Sequence, residues 1–136
     1  MKRILPLLLA SSFVHAGCGE LEIKIINNST HNCTFKNKVM YFGTLPTESV
    51  PTILLANQST PFFNATQDNT GIGVLLTYTC DNELVKFYSW QQYCSFFGAG
   101  EVGGQPMDSS TLNLDYETTQ GSFLGGRPGQ ITWRIS

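Results

Sequence analysis

From residue 20 onward the chain is a succession of short stretches in which apolar and polar residues alternate. Leu21, Ile23 and Ile25 are interleaved with Glu20, Glu22 and Lys24, giving one apolar and one charged face at period two. The polar run at 27–30 (NNST) predicts a turn, and residues 32–42 (NCTFKNKVMYF) predict the strand that returns from it. Pro46 and Pro51 bracket a loop before two shorter apolar runs, 52–57 (TILLAN) and 60–65 (TPFFNA), with Pro61 marking an edge or a bend. Residues 69–80 (NTGIGVLLTYTC) and 83–94 (ELVKFYSWQQYC), separated only by Asp81 and Asn82, make the clearest hairpin and predict central strands. The glycine-rich run at 98–109 (GAGEVGGQPMDS) predicts a long flexible loop rather than a regular element. Three further strands are predicted at 111–116 (TLNLDY), 121–125 (GSFLG) and 129–136 (GQITWRIS). The last carries Ile131, Trp133 and Ile135 on one face and is expected to close a sheet. With no helical apolar period and no internal repeat, about eight short strands predict an all-β fold, an antiparallel β-sandwich.

The first sixteen residues follow a different pattern. Lys2 and Arg3 precede an apolar run over 4–14 that is too short to span a bilayer and has the form of a signal peptide. Val14 and Ala16 occupy the third and first positions before Gly17, which places cleavage after Ala16 and leaves one domain, residues 17–136. A bacterial lipobox is the competing reading of residues 15–18 (HAGC), with histidine where an aliphatic residue is wanted. Lipidating Cys18 would also leave Cys33, Cys80 and Cys94, an odd number, in an oxidising compartment. The expectation is therefore a secreted or periplasmic protein in which all four cysteines form two disulfides. Three pairings are open; Cys80 with Cys94 is disfavoured, because a two-residue turn at 81–82 sets Cys80 opposite Glu83 and far from Cys94.

Charge and chemistry narrow the function. Without Lys2 and Arg3 the chain has six basic against ten acidic residues, a formal charge of −4, which excludes a general attraction for nucleic acid or anionic lipid. After cleavage His31 is the only histidine, expected as a solvated loop residue, and no Gly-x-Ser-x-Gly elbow is present. The stretch GAGEVGG lacks the lysine of a P-loop. Glu101, Asp108, Asp115 and Glu117 are the candidate carboxylates for a glycoside-hydrolase pair, and they are expected to be solvated. The oxygen-rich runs at 68–71 (DNTG) and 81–83 (DNE) are explained by turn chemistry rather than calcium. Asn27, Asn28, Asn32, Asn57 and Asn64 head Asn-x-Ser/Thr sequons, which imply glycans in a eukaryotic secreted protein and merely an Asn/Thr-rich surface in a bacterial one. The expectation is a protein with no catalytic residues, no metal and no cofactor.

The aromatics are the candidate binding residues. In 86–97 (KFYSWQQYCSFF), alternation puts Phe87, Ser89, Gln91 and Tyr93 on one face and Tyr88, Trp90, Gln92 and Cys94 on the other. One set is expected to fill the core. The other is either covered by a neighbour or left as a platform in which Tyr88 and Trp90, or Phe96 and Phe97, stack on a sugar ring or dip into a lipid interface.

The stretches LEIKIINNST, GVLLTYTC, YSWQQYC and GQITWRIS resemble small exported exoproteins of Legionella-type bacteria, some of them type II secretion substrates. That resemblance implies a secreted factor acting outside the bacterium or on a host. More weakly, the first strand with its NNS turn and PFFNATQDNTGIGVLLTY resemble the aegerolysin pattern, which implies a compact β-sandwich recognising membrane lipids. The resulting expectation is a secreted binding protein for an extracellular or host-surface glycan, lipid or protein, with a membrane surface open as a target. A self-assembling structural or envelope protein is the alternative, and a hydrolase using loop carboxylates comes third.

Overall fold

The alternating segments become strands because each finds an apolar partner across a sandwich. A computed structural model describes residues 17–98, 100–107 and 112–136. The expected leader at 1–16, its cleavage site and Asp108 lie outside the described residues. One sheet runs β4 (Gln58–Ser59), β1 (Glu20–Asn27), β10 (Gly129–Ile135), β9 (Leu114–Thr119), with β5 (Phe63–Thr66) also on β1. The other runs β3 (Ile53–Leu54), β2 (Cys33–Phe42), β6 (Gly71–Cys80), β7 (Glu83–Gln92), β8 (Val102–Met107). The fold is the expected all-β sandwich. Pro61 falls in the break between β4 and β5, two short pieces that share the same edge of β1.

The core is built from the apolar faces that alternation exposes. Leu21, Ile23 and Ile25 of β1 and Ile131, Trp133 and Ile135 of β10 are all fully buried, against Ile72, Val74, Leu76 and Tyr78 of β6 and Val85 and Phe87 of β7. The Trp133 ring packs tilted against Phe87 at 4.9 Å, and its indole N–H donates to Ser89 Oγ at 2.8 Å. That bond accounts for a serine on the inward face of β7, since a buried indole donor left unpaired would cost about 1–3 kcal/mol.

Several expectations are corrected. The last strand lies inside its sheet, between β1 and β9, and its pairing with β1 is parallel, with Ile23 opposite Ile131 and Ile25 opposite Trp133. Strand β2 does not return beside β1. Residues 28–32 cross to the other sheet, held by the buried Asn27, whose Nδ2 donates to His31 O (2.8 Å) and Leu54 O (3.1 Å) while Oδ1 accepts from Ser29 Oγ (2.7 Å). The segment expected as a flexible loop contains β8, paired with β7 from Val102 opposite Gln91 to Met107 opposite Lys86. Its glycines serve close packing: a Cβ on Gly104 would meet the Trp133 ring at 2.7 Å, and one on Gly103 the Trp90 ring at 2.1 Å. The predicted strand at 121–125 is instead a tight turn. Ser122 and Arg127 exchange backbone bonds of 2.9 and 3.0 Å, and Gly126 takes φ +63°, which favours glycine. Finally, β7 ends at Gln92, so alternation stops there: Tyr93 is exposed and Cys94 buried.

Both disulfides form, and Cys80 does sit opposite Glu83, away from Cys94. Cys33–Cys80 joins register partners of β2 and β6 with Cα atoms 4.1 Å apart. Cys18–Cys94 ties the segment ahead of β1 to the loop after β7, with Cα atoms 5.8 Å apart, and takes up the sulfur on which a lipid would be carried. Two bridges fit an oxidising extracellular or periplasmic compartment. Among the described residues no helix is long and apolar enough to cross a membrane.

Candidate functional site

The four aromatics singled out from the sequence fall on two separate surfaces. Tyr88 and Trp90 point outward from β7 on the solvent face of the second sheet. Trp90 lies between Gly73 of β6 and Gly103 of β8, and Tyr88 between Leu75 and Gln105. Their rings lie over the neighbouring backbones, since a Cβ on Gly103 would meet Trp90 at 2.1 Å and one on Gly73 would meet the Tyr88 hydroxyl at 2.3 Å. Both side chains are consequently half-buried. Tyr41 packs edge-on against Tyr88 at 5.7 Å, and Phe42 follows it at a register shift in β2. Two depressions of about 330 and 290 Å³ result, sharing Phe42 and Tyr88. Burial first, and the neighbouring Tyr41 second, push the Tyr88 phenol above its usual pKa.

Phe96 and Phe97 lie in the loop after β7, at the end of the sandwich marked by Cys18–Cys94. They are joined there by Phe123 and Leu124 from the turn before β10. Phe97 is 94% exposed, Leu124 85% and Phe96 65%. Phe96 packs edge-on against both Phe97 (5.1 Å) and Phe123 (5.9 Å). The cluster borders a shallow depression of about 480 Å³ whose polar lining includes Gln120, Ser122 and Arg127.

The loop carrying Phe96 and Phe97 is fixed by several bonds beyond the disulfide. The Gln67 amide clamps Cys94, donating to its carbonyl at 3.1 Å and accepting from its N–H at 2.8 Å. Ser95 Oγ accepts from the N–H groups of Phe97 and Gly98, each at 3.2 Å. On the other arm of the bridge, buried Gln91 donates to Cys18 O at 2.8 Å. The sequence reading missed Phe123 and Leu124. Their signal was two apolar residues followed directly by Gly125 and Gly126, which marks a turn tip as well as a strand.

Of the residues considered for catalysis, His31, Asp115 and Glu117 are engaged in structural contacts. His31 is more than a solvated loop residue, because its Nδ1 pairs with Oδ2 of Asp81 in the turn between β6 and β7. Asp115 and Glu117 both reach Arg134, at 3.4 and 3.0 Å, and the Glu117 hydrogen bond is the main reason that the guanidinium pKa is raised. Glu101 is exposed just before β8. Asp68 organises its turn: Oδ2 accepts from Gly43 N–H, and Oδ1 from Thr70 and Gly71 N–H, which together hold its carboxyl below the usual value. Asp81 takes φ +55° in the two-residue hairpin turn, so both oxygen-rich runs are turns. No group of three or more His, Cys, Asp or Glu residues among those described is placed to hold a metal ion.

Fold and surfaces together define a small, doubly bridged β-sandwich with apolar side chains bunched on its end loops. No protein-family model and no curated protein matches this chain. Among solved structures it is similar to the lipid binding protein Nakanori, with TM-score 0.69 at 9% identity over 96% of this chain and 77% of that one. It is also similar to RahU, solved with a Tris molecule (TM-score 0.57, 12% identity, 89% and 98% covered). A third likeness is to IP-1A from Alcaligenes faecalis (TM-score 0.53, 15% identity, 93% and 97% covered). At these identities the likeness establishes the fold, and nothing in the comparisons carries the resemblance to exported exoproteins.

Proposed function

We propose that this protein is a secreted, non-catalytic binder, released by its leader, that docks on a lipid surface of low net charge through Phe96, Phe97, Phe123 and Leu124. The observation that carries the proposal is the bunching of these four side chains at one end, two of them almost wholly exposed. Soluble monomers rarely present such a patch without a partner for it. Burying one Phe or Leu side chain contributes about 1.5–3 kcal/mol, so insertion of three or four is enough for reversible attachment. The loop of Phe96 and Phe97 is already tied down by Cys18–Cys94, Gln67 and Ser95, and the turn of Phe123 and Leu124 by the backbone bonds between Ser122 and Arg127, which lowers the entropic cost of docking. The formal charge of −4 after cleavage weighs against an anionic surface. The lipid-binding description of Nakanori, which shares the fold, supports the same reading.

Flotation with phosphatidylcholine vesicles, with and without phosphatidylserine, tests the proposal. The wild-type protein should float with the neutral vesicles and gain nothing from phosphatidylserine. Phe97→Ala and Leu124→Ala should each weaken binding about tenfold, which is about 1.4 kcal/mol, with stability changed by no more than about 0.5 kcal/mol. Flotation unaffected by both substitutions, or seen only with phosphatidylserine, would overturn it.

A further inference from the structure

We propose that the outer face of the second sheet is a separate binding site for a neutral sugar ring, with Tyr41, Tyr88 and Trp90 as the stacking surface and Gln92 and Gln105 as its polar rim. The rings are seated rather than merely exposed. Trp90 lies over Gly103 and Tyr88 over Gly73, so each has one side against backbone. Their orientation is therefore set before any ligand arrives, and rigid aromatic area of this kind binds at low entropic cost. The patch is also uncovered: Tyr41 is 57% and Phe42 41% exposed, although each packs beside the two central strands.

The lining selects the ligand class. No charged side chain lines either depression, which removes the basis for recognising a phosphate, a sialic acid or a basic peptide. What is present is an aromatic floor with the amides of Gln92 and Gln105 and the hydroxyl of Thr70 at its margins. A pyranose has the matching character, with an apolar C–H face for the rings and hydroxyls around its rim for the amides. An aromatic floor with a few convergent polar groups is the common composition of small-ligand sites. The two depressions are neighbours that share Phe42 and Tyr88 in their linings, so a neutral chain seated in one extends toward the other. This inference does not depend on the lipid reading, because it uses none of the side chains at the tip.

A printed array of neutral and sialylated glycans is the first test. Binding should be confined to neutral glycans, and titration of the strongest one should change tryptophan emission. The chain has two tryptophans, and Trp133 is fully buried, so such a change reports Trp90. Trp90→Ala and Tyr88→Ala should lose array binding at least tenfold while keeping vesicle flotation. Gln105→Leu, a change at the sheet edge that leaves both rings seated, should weaken it several-fold and guards against a Trp90 variant that does not fold. An array with no neutral glycan bound, binding confined to sialylated glycans, or binding unaltered in Trp90→Ala, Tyr88→Ala and Gln105→Leu would each overturn the proposal.

Discussion

The two aromatic surfaces are built by opposite means. On the sheet face, Tyr88 and Trp90 are held by the ladder itself, each ring resting over a glycine of a neighbouring strand. At the tip, Phe96 and Phe97 stand on a loop fixed by a disulfide and a few side-chain bonds, and Phe123 and Leu124 on a turn closed by the backbone bonds between Ser122 and Arg127. The first surface is rigid because the fold is rigid, whereas the second is rigid only where covalent and polar ties hold it. Disturbing the fold should therefore damage the sheet face first, and cutting the ties should damage only the tip.

The largest effect is expected from the disulfides. Cys33–Cys80 and Cys18–Cys94 close loops of sequence separation 47 and 76, so in the chain-entropy view replacing either pair by alanine costs about 4 kcal/mol. Urea unfolding should show nearly equal losses for the two variants. Vesicle flotation of the folded molecules should separate them, failing for Cys18→Ala with Cys94→Ala and persisting for Cys33→Ala with Cys80→Ala. Equal loss of flotation in both would mean that the tip is not held by its bridge.

A smaller effect, about 1–3 kcal/mol, is expected from Gly103→Ala, whose new methyl group would meet Trp90 at 2.1 Å. The displaced ring should become more accessible to acrylamide quenching, with flotation unchanged; an unaltered Trp90 signal would show that the ring does not depend on its glycine.

The smallest effect concerns acid. Because the Asp68 pKa is lowered, chiefly by the Gly43 N–H, its contribution is complete above the ordinary value of 3.8 and is lost as pH falls through the lower folded value. Its turn carries Thr70 at the margin of the sheet-face depression, so acid should loosen that margin and leave the tip alone. Asp68→Asn should flatten the acid limb of a urea-midpoint profile, and a limb of unchanged slope would remove Asp68 as its cause.

Most of the sheet surface was legible in the sequence. Alternation across 86–92 separates Phe87, Ser89 and Gln91, which are buried, from Tyr88 and Trp90, which point outward. The tip was half legible. Phe96 and Phe97 stood out as terminal aromatics, but Phe123 and Leu124 did not, because their partnership with Phe96 spans two loops that meet only in the folded chain. Gly103 and Gly104 read as loop residues for a related reason. Glycine reads as flexibility from its neighbours in sequence, and here Gly103 and Gly104 are small because Trp90 and Trp133 lie against them from opposite faces.

What the sequence determined by itself is the all-β class, most of the strands, the inward and outward faces of the hairpin, and the even cysteine count that calls for two bridges. These are local, because a period of two is set within each strand and parity within the chain. The tertiary structure alone decided which sheet receives β2, the parallel pairing of β1 with β10, the partner of each cysteine, and the gathering of four apolar side chains at one end. Those depend on packing between segments distant in sequence, where the favourable contact is the burial of one face against another and no single stretch contains both.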